Sequence, residues 1–106
     1  MQEYMPVLRT PELGPGEMRE VRVHGRRLVV VNVGQTYYAL AARCPNDGAD
    51  LGREGRLKGF WLICPRDDAA YDVRTGERVD RAGGASLARY AIRVAENRIQ
   101  VGPRIG

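Results

Sequence analysis

The sequence predicts a small all-β domain built from antiparallel hairpins. Short runs rich in valine, isoleucine and tyrosine alternate with turn residues, and 13 glycines are spread over the 106 residues. This pattern is typical of strands joined by tight turns. The one helical signal is at Thr10-Pro11-Glu12-Leu13, where a capping threonine precedes proline, and the glycines at 14 and 16 end it within one turn. We therefore expect almost no helix.

Three antiparallel strands are expected in the first half of the chain, at residues 18–23, 28–33 and 36–42. Apolar side chains recur in each of them, and residues 24–27 and 34–35 supply the turns. His24, the single histidine, is then expected to be exposed in the first turn. The stretch 44–55 has no periodicity and contains one proline and three glycines, so it is expected to be an ordered loop.

The second half of the chain predicts two more hairpins. A short apolar strand at 60–64 precedes a hairpin that pairs 69–74 with 77–79. After a loop at 80–86, a strand turns back at Glu96-Asn97 into a closing strand at 98–101, and a loose tail follows at 102–106. The side chains expected in the core of this half are Phe60, Trp61, Tyr71, Leu87, Tyr90, Ile92, Val94, Ile99 and Val101.

Composition limits the function classes. The length and the 43% hydrophobic content suit one compact core, so a single domain over residues 1–106 is expected. No apolar run approaches the roughly 20 residues of a membrane-spanning helix, which predicts a cytoplasmic protein without a membrane partner. The net charge is +4 and the basic residues are scattered, which argues against nucleic-acid binding and favours a partner with an acidic surface.

The two cysteines carry the chemical signal. Each is followed by proline and, two residues after that, by an aspartate, giving Cys44-Pro45-Asn46-Asp47 and Cys64-Pro65-Arg66-Asp67. Two cysteines in a cytoplasmic chain do not form a disulfide framework. Two matching segments indicate one shared site, because proline fixes the backbone after the cysteine and the next amides can point at a sulfur.

These segments resemble the Rieske iron–sulfur family, whose loops read C-P-H-x-G-A-x-L and C-P-W-H-G-x-x-F-D-x-x-T-G. The chain reads C-P-N-D-G-A-D-L from Cys44 and C-P-R-D-D-A-A-Y-D-V-R-T-G from Cys64. The resemblance implies a Rieske-type antiparallel β-sandwich of small sheets, in which two ligand loops at about 43–68 form a cluster-binding subdomain. It also implies that Cys44 and Cys64 stand at the thiolate positions of a [2Fe-2S] cluster.

Both histidine positions of the family pattern are substituted. Asn46 stands at the first and Asp67 at the second, and an amide oxygen is a poor ligand for iron. Arg66 replaces the usual tryptophan and Asp68 a glycine, while the third loop reads Gly83-Gly84-Ala85 where the family has glycine–proline–alanine. An ordinary Rieske cluster is therefore not expected.

Three uses of the two cysteines stay open. The first is an altered or empty site in an accessory or small subunit of an oxidoreductase system, such as the small subunits of assimilatory nitrite reductases that the chain resembles. The second is an electron-transfer ferredoxin in which Cys44, Cys64 and Asp67, with Asn46 or Asp47, hold an atypical iron–sulfur centre or a single iron or zinc ion. The third is a reversible disulfide between Cys44 and Cys64.

Solvated turn carboxylates are the simpler interpretation of Asp47 and Asp67. No nucleophile and base pair is visible, so catalysis by the chain alone is not expected. The implied partner is a redox enzyme.

Overall fold

The computed structural model describes residues 4–45, 48–66 and 68–106, and within them the chain is mostly antiparallel β-sheet. The elements, in chain order, are β1 Met5–Arg9, a 3-10 turn Thr10–Glu12, β2 Met18–Val23, β3 Arg26–Val33, β4 Thr36–Ala41, α1 Leu51–Glu54, β5 Arg56–Lys58, β6 Trp61–Ile63, β7 Ala70–Asp72, β8 Arg89–Ala95 and β9 Arg98–Arg104. The predicted fold class is confirmed.

Two sheets divide the described strands. The large sheet has six strands in the order β1-β9-β8-β4-β3-β2, and the small sheet has three in the order β5-β6-β7. The meander of β2, β3 and β4 was expected from the alternating apolar residues and pairs in continuous antiparallel register. His24 lies in the β2–β3 turn with an exposed side chain, as predicted.

Strand β3 is buried on both faces, which explains its unbroken run of apolar residues. Val29 and Val31 belong to one buried cluster, together with Leu40 of β4 and with Leu62 and Tyr71 of the small sheet. The next residues along the strand, Leu28 and Val30, belong to a second cluster on the other face, with Ile99 and Val101 of β9. The first cluster, between the large sheet and the small sheet, is the one that holds both cysteines.

Two expected core residues are exposed, and both corrections have the same physical reason. Trp61 is 46% exposed and Val94 is 49% exposed. Alternation along a strand predicts which side chains share a face but not whether anything covers that face. On β6, Leu62 points into the core and Trp61 therefore points away. On β8, Val94 lies opposite the buried Ile99 of β9 but beyond Tyr90, the last β8 residue that pairs with β4.

Other boundaries also differ from the expected ones. The tail expected to be loose at 102–106 continues as strand to Arg104. Strand β1, which was not predicted, pairs with the earlier part of the same strand, residues 98–101, at the edge of the large sheet. The hairpin expected from 77–79 is reduced to a single bridge between Tyr71 and Arg78. The loop expected at 44–55 contains the one-turn helix α1, whose N-cap Asp50 accepts a hydrogen bond from the Arg53 amide at 3.1 Å.

No helix among the described residues has the length and apolar composition needed to cross a membrane.

Candidate functional site: two matched cysteine corners

The first cysteine corner, residues 44–49, follows β4 and leads into α1. The Cys44 amide donates to the Ala49 carbonyl at 2.9 Å, and the Gly48 amide donates back to the Cys44 carbonyl at 2.9 Å. These two bonds close a tight turn that satisfies the backbone polar groups around a cysteine that is 1% exposed. Gly48 has a φ of 76°, a left-handed conformation that glycine adopts without steric cost.

The second cysteine corner, residues 64–69, joins β6 to β7 and repeats this pattern position by position. The Cys64 amide donates to the Ala69 carbonyl at 2.8 Å, and the Asp68 amide donates to the Cys64 carbonyl at 3.2 Å. Cys64 is fully buried. The equivalent of Gly48 is Asp68, and it too is left-handed, with a φ of 60°. At Asp68 a residue with a side chain therefore adopts the left-handed backbone conformation that glycine adopts most easily.

We expect Asp68→Gly to raise the free energy of unfolding by about 1 kcal/mol, because glycine removes the steric cost of the left-handed conformation. The ion pair from Asp68 to Arg56 has both side chains mostly exposed and adds little. Urea denaturation followed by circular dichroism measures the difference.

Asp68→Ala is the matched control, since it removes the same ion pair but keeps a Cβ atom. It should be less stable than the wild type. Equal stability of the glycine and alanine variants would show that the conformation at this position carries no strain.

Tyr71 of β7 belongs to the same buried cluster as both cysteines. Its hydroxyl is 3.6 Å from the Cys44 Sγ atom, within hydrogen-bond distance for sulfur, and either atom can donate. Burial raises the pKa of Tyr71 above its ordinary value of 10.0, and the contact with Cys44 raises it further. Cys64 also acts electrostatically in the same direction. The phenol therefore stays protonated and can donate its hydrogen to the Cys44 sulfur.

Asp80 ties the strand after the second corner to the following loop. One of its oxygens accepts hydrogen bonds from the Ala70 amide at 3.1 Å and from the Arg78 side chain at 2.7 Å. The side chain of Arg78 is only 7% exposed. Its hydrogen bond is the main reason that the pKa of Asp80 lies well below the ordinary value of 3.8, and the Ala70 amide adds to the effect.

This pairing predicts a pH-dependent stability. Because the pKa of Asp80 is lower in the folded state than in the unfolded state, its contribution is complete above the unfolded value of 3.8 and is lost as the pH falls toward the folded one. We expect Asp80→Asn to lower stability at neutral pH and to flatten the decrease of stability between neutral pH and pH ~3.

Denaturation by urea at several pH values measures both effects. The exposed Glu77→Gln is the control, because the structure records no ion pair for that side chain within the described ranges, and it should leave the pH profile unchanged. If the stability of Asp80→Asn fell with pH as steeply as that of the wild type, the assignment would be contradicted.

Of the predicted site residues, Cys44 and Cys64 are brought into one buried cluster with Tyr71. Asn46, Asp47 and Asp67 lie outside the described residues, so their ligand assignments stay predictions. Across 4–45, 48–66 and 68–106, no three histidine, cysteine or acidic side chains are grouped as a metal site, and no disulfide joins the two thiols.

Sequence reasoning placed Tyr71 in the core, which is correct, but missed its contact with Cys44. The signal that could have found it is its place in the second loop, at the phenylalanine of the F-D pair in the family pattern. Tyrosine adds a hydroxyl to that position, and a buried hydroxyl needs a polar neighbour.

The comparisons with known proteins agree with this architecture. The family model of the Rieske [2Fe-2S] domain matches residues 3–91. The human apoptosis-inducing factor 3 is 28% identical over 95 residues, which cover 90% of this chain and 16% of that protein. The chain thus spans about a sixth of the length of this curated relative.

Solved structures have the same fold. The ferredoxin of carbazole 1,9a-dioxygenase from Nocardioides aromaticivorans IC177 superposes with a TM-score of 0.87 at 26% identity, covering 94% of this chain and 97% of that one. A protein assigned as an NADH-dependent nitrite reductase small subunit from Mycobacterium tuberculosis has a TM-score of 0.83 at 23% identity, with 100% and 98% covered. Since the family model spans most of the sequence, the chain belongs to the Rieske [2Fe-2S] domain family.

Proposed function

We propose that this ferredoxin-like chain is an accessory or small subunit of an oxidoreductase system, and that it works without an ordinary two-histidine [2Fe-2S] cluster. The fold of oxygenase ferredoxins supports the first part. The ligand set supports the second. The partner is a redox enzyme, and a cytoplasmic location stays a prediction.

The residues present do not fit the family cluster. A Rieske centre takes two cysteines on one iron and two histidines on the other. The 106 residues contain one histidine, His24. It lies in the β2–β3 turn, where its neighbours around a surface depression include Arg26, Tyr90 and Arg104 and none of the described residues of either corner. This single histidine is the observation that carries the proposal.

The thiolate half of the site is nevertheless preserved. Both corners hold their cysteine by the same pair of backbone hydrogen bonds, and both sulfurs belong to the buried cluster around Tyr71. Two thiolates without two imidazoles can ligate a single zinc or iron ion if Asp47 and Asp67 complete a set of four ligands. They can equally serve only as buried apolar groups, as many intracellular cysteines do.

Metal and sulfide analysis of anaerobically purified protein tests the proposal. We expect iron and acid-labile sulfide far below stoichiometric amounts, and the same amounts in Cys44→Ser/Cys64→Ser, which serves as the background. Stoichiometric iron and sulfide that the double variant loses would overturn it in favour of an atypical electron carrier. Stoichiometric zinc without sulfide would assign a single-metal site.

The reversible disulfide is tested on the same sample. Both cysteines are almost fully buried, so an oxidant reaches them only when the corners open locally. The protein is treated with or without a thiol oxidant such as diamide and is then alkylated in denaturant. Mass spectrometry should show two alkylated cysteines in each case. If oxidation protected Cys44 and Cys64 from alkylation and a reductant reversed that protection, the result would favour the reversible disulfide.

A further inference from the structure

A basic cleft lies at the end of the large sheet, where the β2–β3 turn meets the end of β4. Its volume is about 320 Å³, and its charged lining consists of Arg22, Arg26, Arg27 and Arg43, with Tyr90 on one side. Within the described residues no carboxylate lines it. We call this depression the arginine cleft.

Three of its four arginines form no ion pair with any residue that the structure describes. Arg27 is held by Glu20 at 2.9 Å and by Asp50 at 2.6 Å, so its charge is countered from outside the cleft. The structure records no ion pair for Arg22, Arg26 or Arg43 in the parts of the chain it describes. Three unpaired guanidiniums around one depression repel one another and are stabilised by a bound anion.

The arginine cleft continues into a second depression of about 500 Å³. The two share Arg26, Leu28 and Tyr90, and the second adds His24 and Arg104. Arg26 marks the boundary, where its guanidinium donates to the Tyr90 hydroxyl at 3.4 Å. Cations thus lie along an open groove rather than around one point. Such a row suits an extended chain with several carboxylates better than a single phosphate, which would fill one depression.

The arginine cleft also reaches the first cysteine corner. Arg43 directly precedes Cys44 in the chain, and its guanidinium lies over Gly48, 3.8 Å from the position a Cβ atom would take there. A partner that pairs with Arg43 would therefore contact the loop that holds Cys44.

We propose that the arginine cleft and its extension are the docking surface for a carboxylate-rich segment of the redox-enzyme partner. This rests on the proposed function and names the chemistry by which the partner is recognised. Guanidinium groups bind carboxylates through paired, charge-assisted hydrogen bonds. The surface offers a nucleic acid no row of exposed aromatic side chains, since Tyr90 is half-buried and its hydroxyl is engaged.

Titration of the isotope-labelled full chain with a hexaglutamate peptide, followed by NMR, tests the proposal. We expect amide shifts concentrated at the cleft and its extension, an affinity that falls with added salt, and no binding of hexaglutamine. The variant Arg22→Gln/Arg26→Gln/Arg43→Gln should bind about tenfold more weakly. All three side chains are exposed, so the fold should persist, and the single variants Arg22→Gln and Arg43→Gln provide the same test if the triple variant does not fold.

The matched control is Arg19→Gln/Arg81→Gln/Arg98→Gln, which removes the same charge at exposed positions outside the cleft, its extension and both cysteine corners. Its affinity should stay within about twofold of the wild type. Equal weakening by the two triple variants, or shifts spread over the whole surface, would overturn the proposal. Inorganic pyrophosphate that binds the cleft more tightly than the peptide would also overturn it. None of these outcomes changes the iron and sulfide content, so a failure here is distinct from a failure of the proposed function.

Discussion

Gly76→Ala should lower the free energy of unfolding by about 3 kcal/mol. Gly76 is buried, has a φ of 80°, and a Cβ atom there would collide with the carbonyl oxygen of Leu87. Its own carbonyl accepts the Leu87 amide at 2.7 Å, and its amide donates to Asp72 at 2.6 Å. The collision cannot be relieved without moving Leu87, which belongs to the same buried cluster as both cysteines. Urea denaturation followed by circular dichroism measures the loss.

Gly83→Ala separates the collision from the backbone conformation. Gly83 has almost the same φ, 79°, but a Cβ atom there would meet nothing within 4 Å. Its substitution should cost only about 1 kcal/mol for the left-handed conformation. Equal losses at the two glycines would show that the close approach to Leu87 is not a constraint.

Leu62→Ala should cost about 3 to 4 kcal/mol, the usual loss when a fully buried leucine leaves a cavity. Leu62 has no exposed surface and lies at the centre of the small sheet, opposite Tyr71 in the β6–β7 register. It packs in the cluster that holds both cysteine corners, so its removal should loosen the site as well as the sheet. Faster thiol alkylation of Cys44 and Cys64 in the native protein, together with the unfolding curve, measures both effects.

Trp61→Ala is the control on the same strand. Trp61 is larger than Leu62 but 46% exposed, so its loss should cost about 1 kcal/mol or less and leave thiol accessibility unchanged. A greater loss at Trp61 than at Leu62 would mean that the wrong face of β6 has been assigned to the core.

The parts of the fold that could be predicted depend on local patterns. The β2–β4 meander follows from alternation and from glycine-containing turns, and the cysteine corners follow from two short motifs. Strand β1 could not be found this way, because it is stabilised by pairing with β9 at the other end of the sequence. Trp61 and Val94 were misplaced because alternation does not reveal which face of a sheet is covered.

The candidate site could be predicted only in part, because some of its features are local in the sequence and others depend on the fold. Residue identity alone showed that the histidines of the pattern are replaced, but not that Asp68 would have the same left-handed conformation as Gly48 in the first corner. The contact of Tyr71 with Cys44 joins residues 27 positions apart and depends on how β7 packs beside the first corner. The arginine cleft also needed the fold, since Arg43 is distant in sequence from Arg22 and Arg26.

The central claim is that a Rieske scaffold here keeps its two thiols but lacks the imidazoles for its usual cluster. Anaerobic reconstitution with ferrous iron and sulfide, followed by visible absorption and electron paramagnetic resonance of the reduced protein, tests it most directly. We expect no stable cluster whose electron paramagnetic resonance spectrum shows an iron coupled to two imidazole nitrogens. A stoichiometric cluster with that nitrogen coupling would contradict the claim.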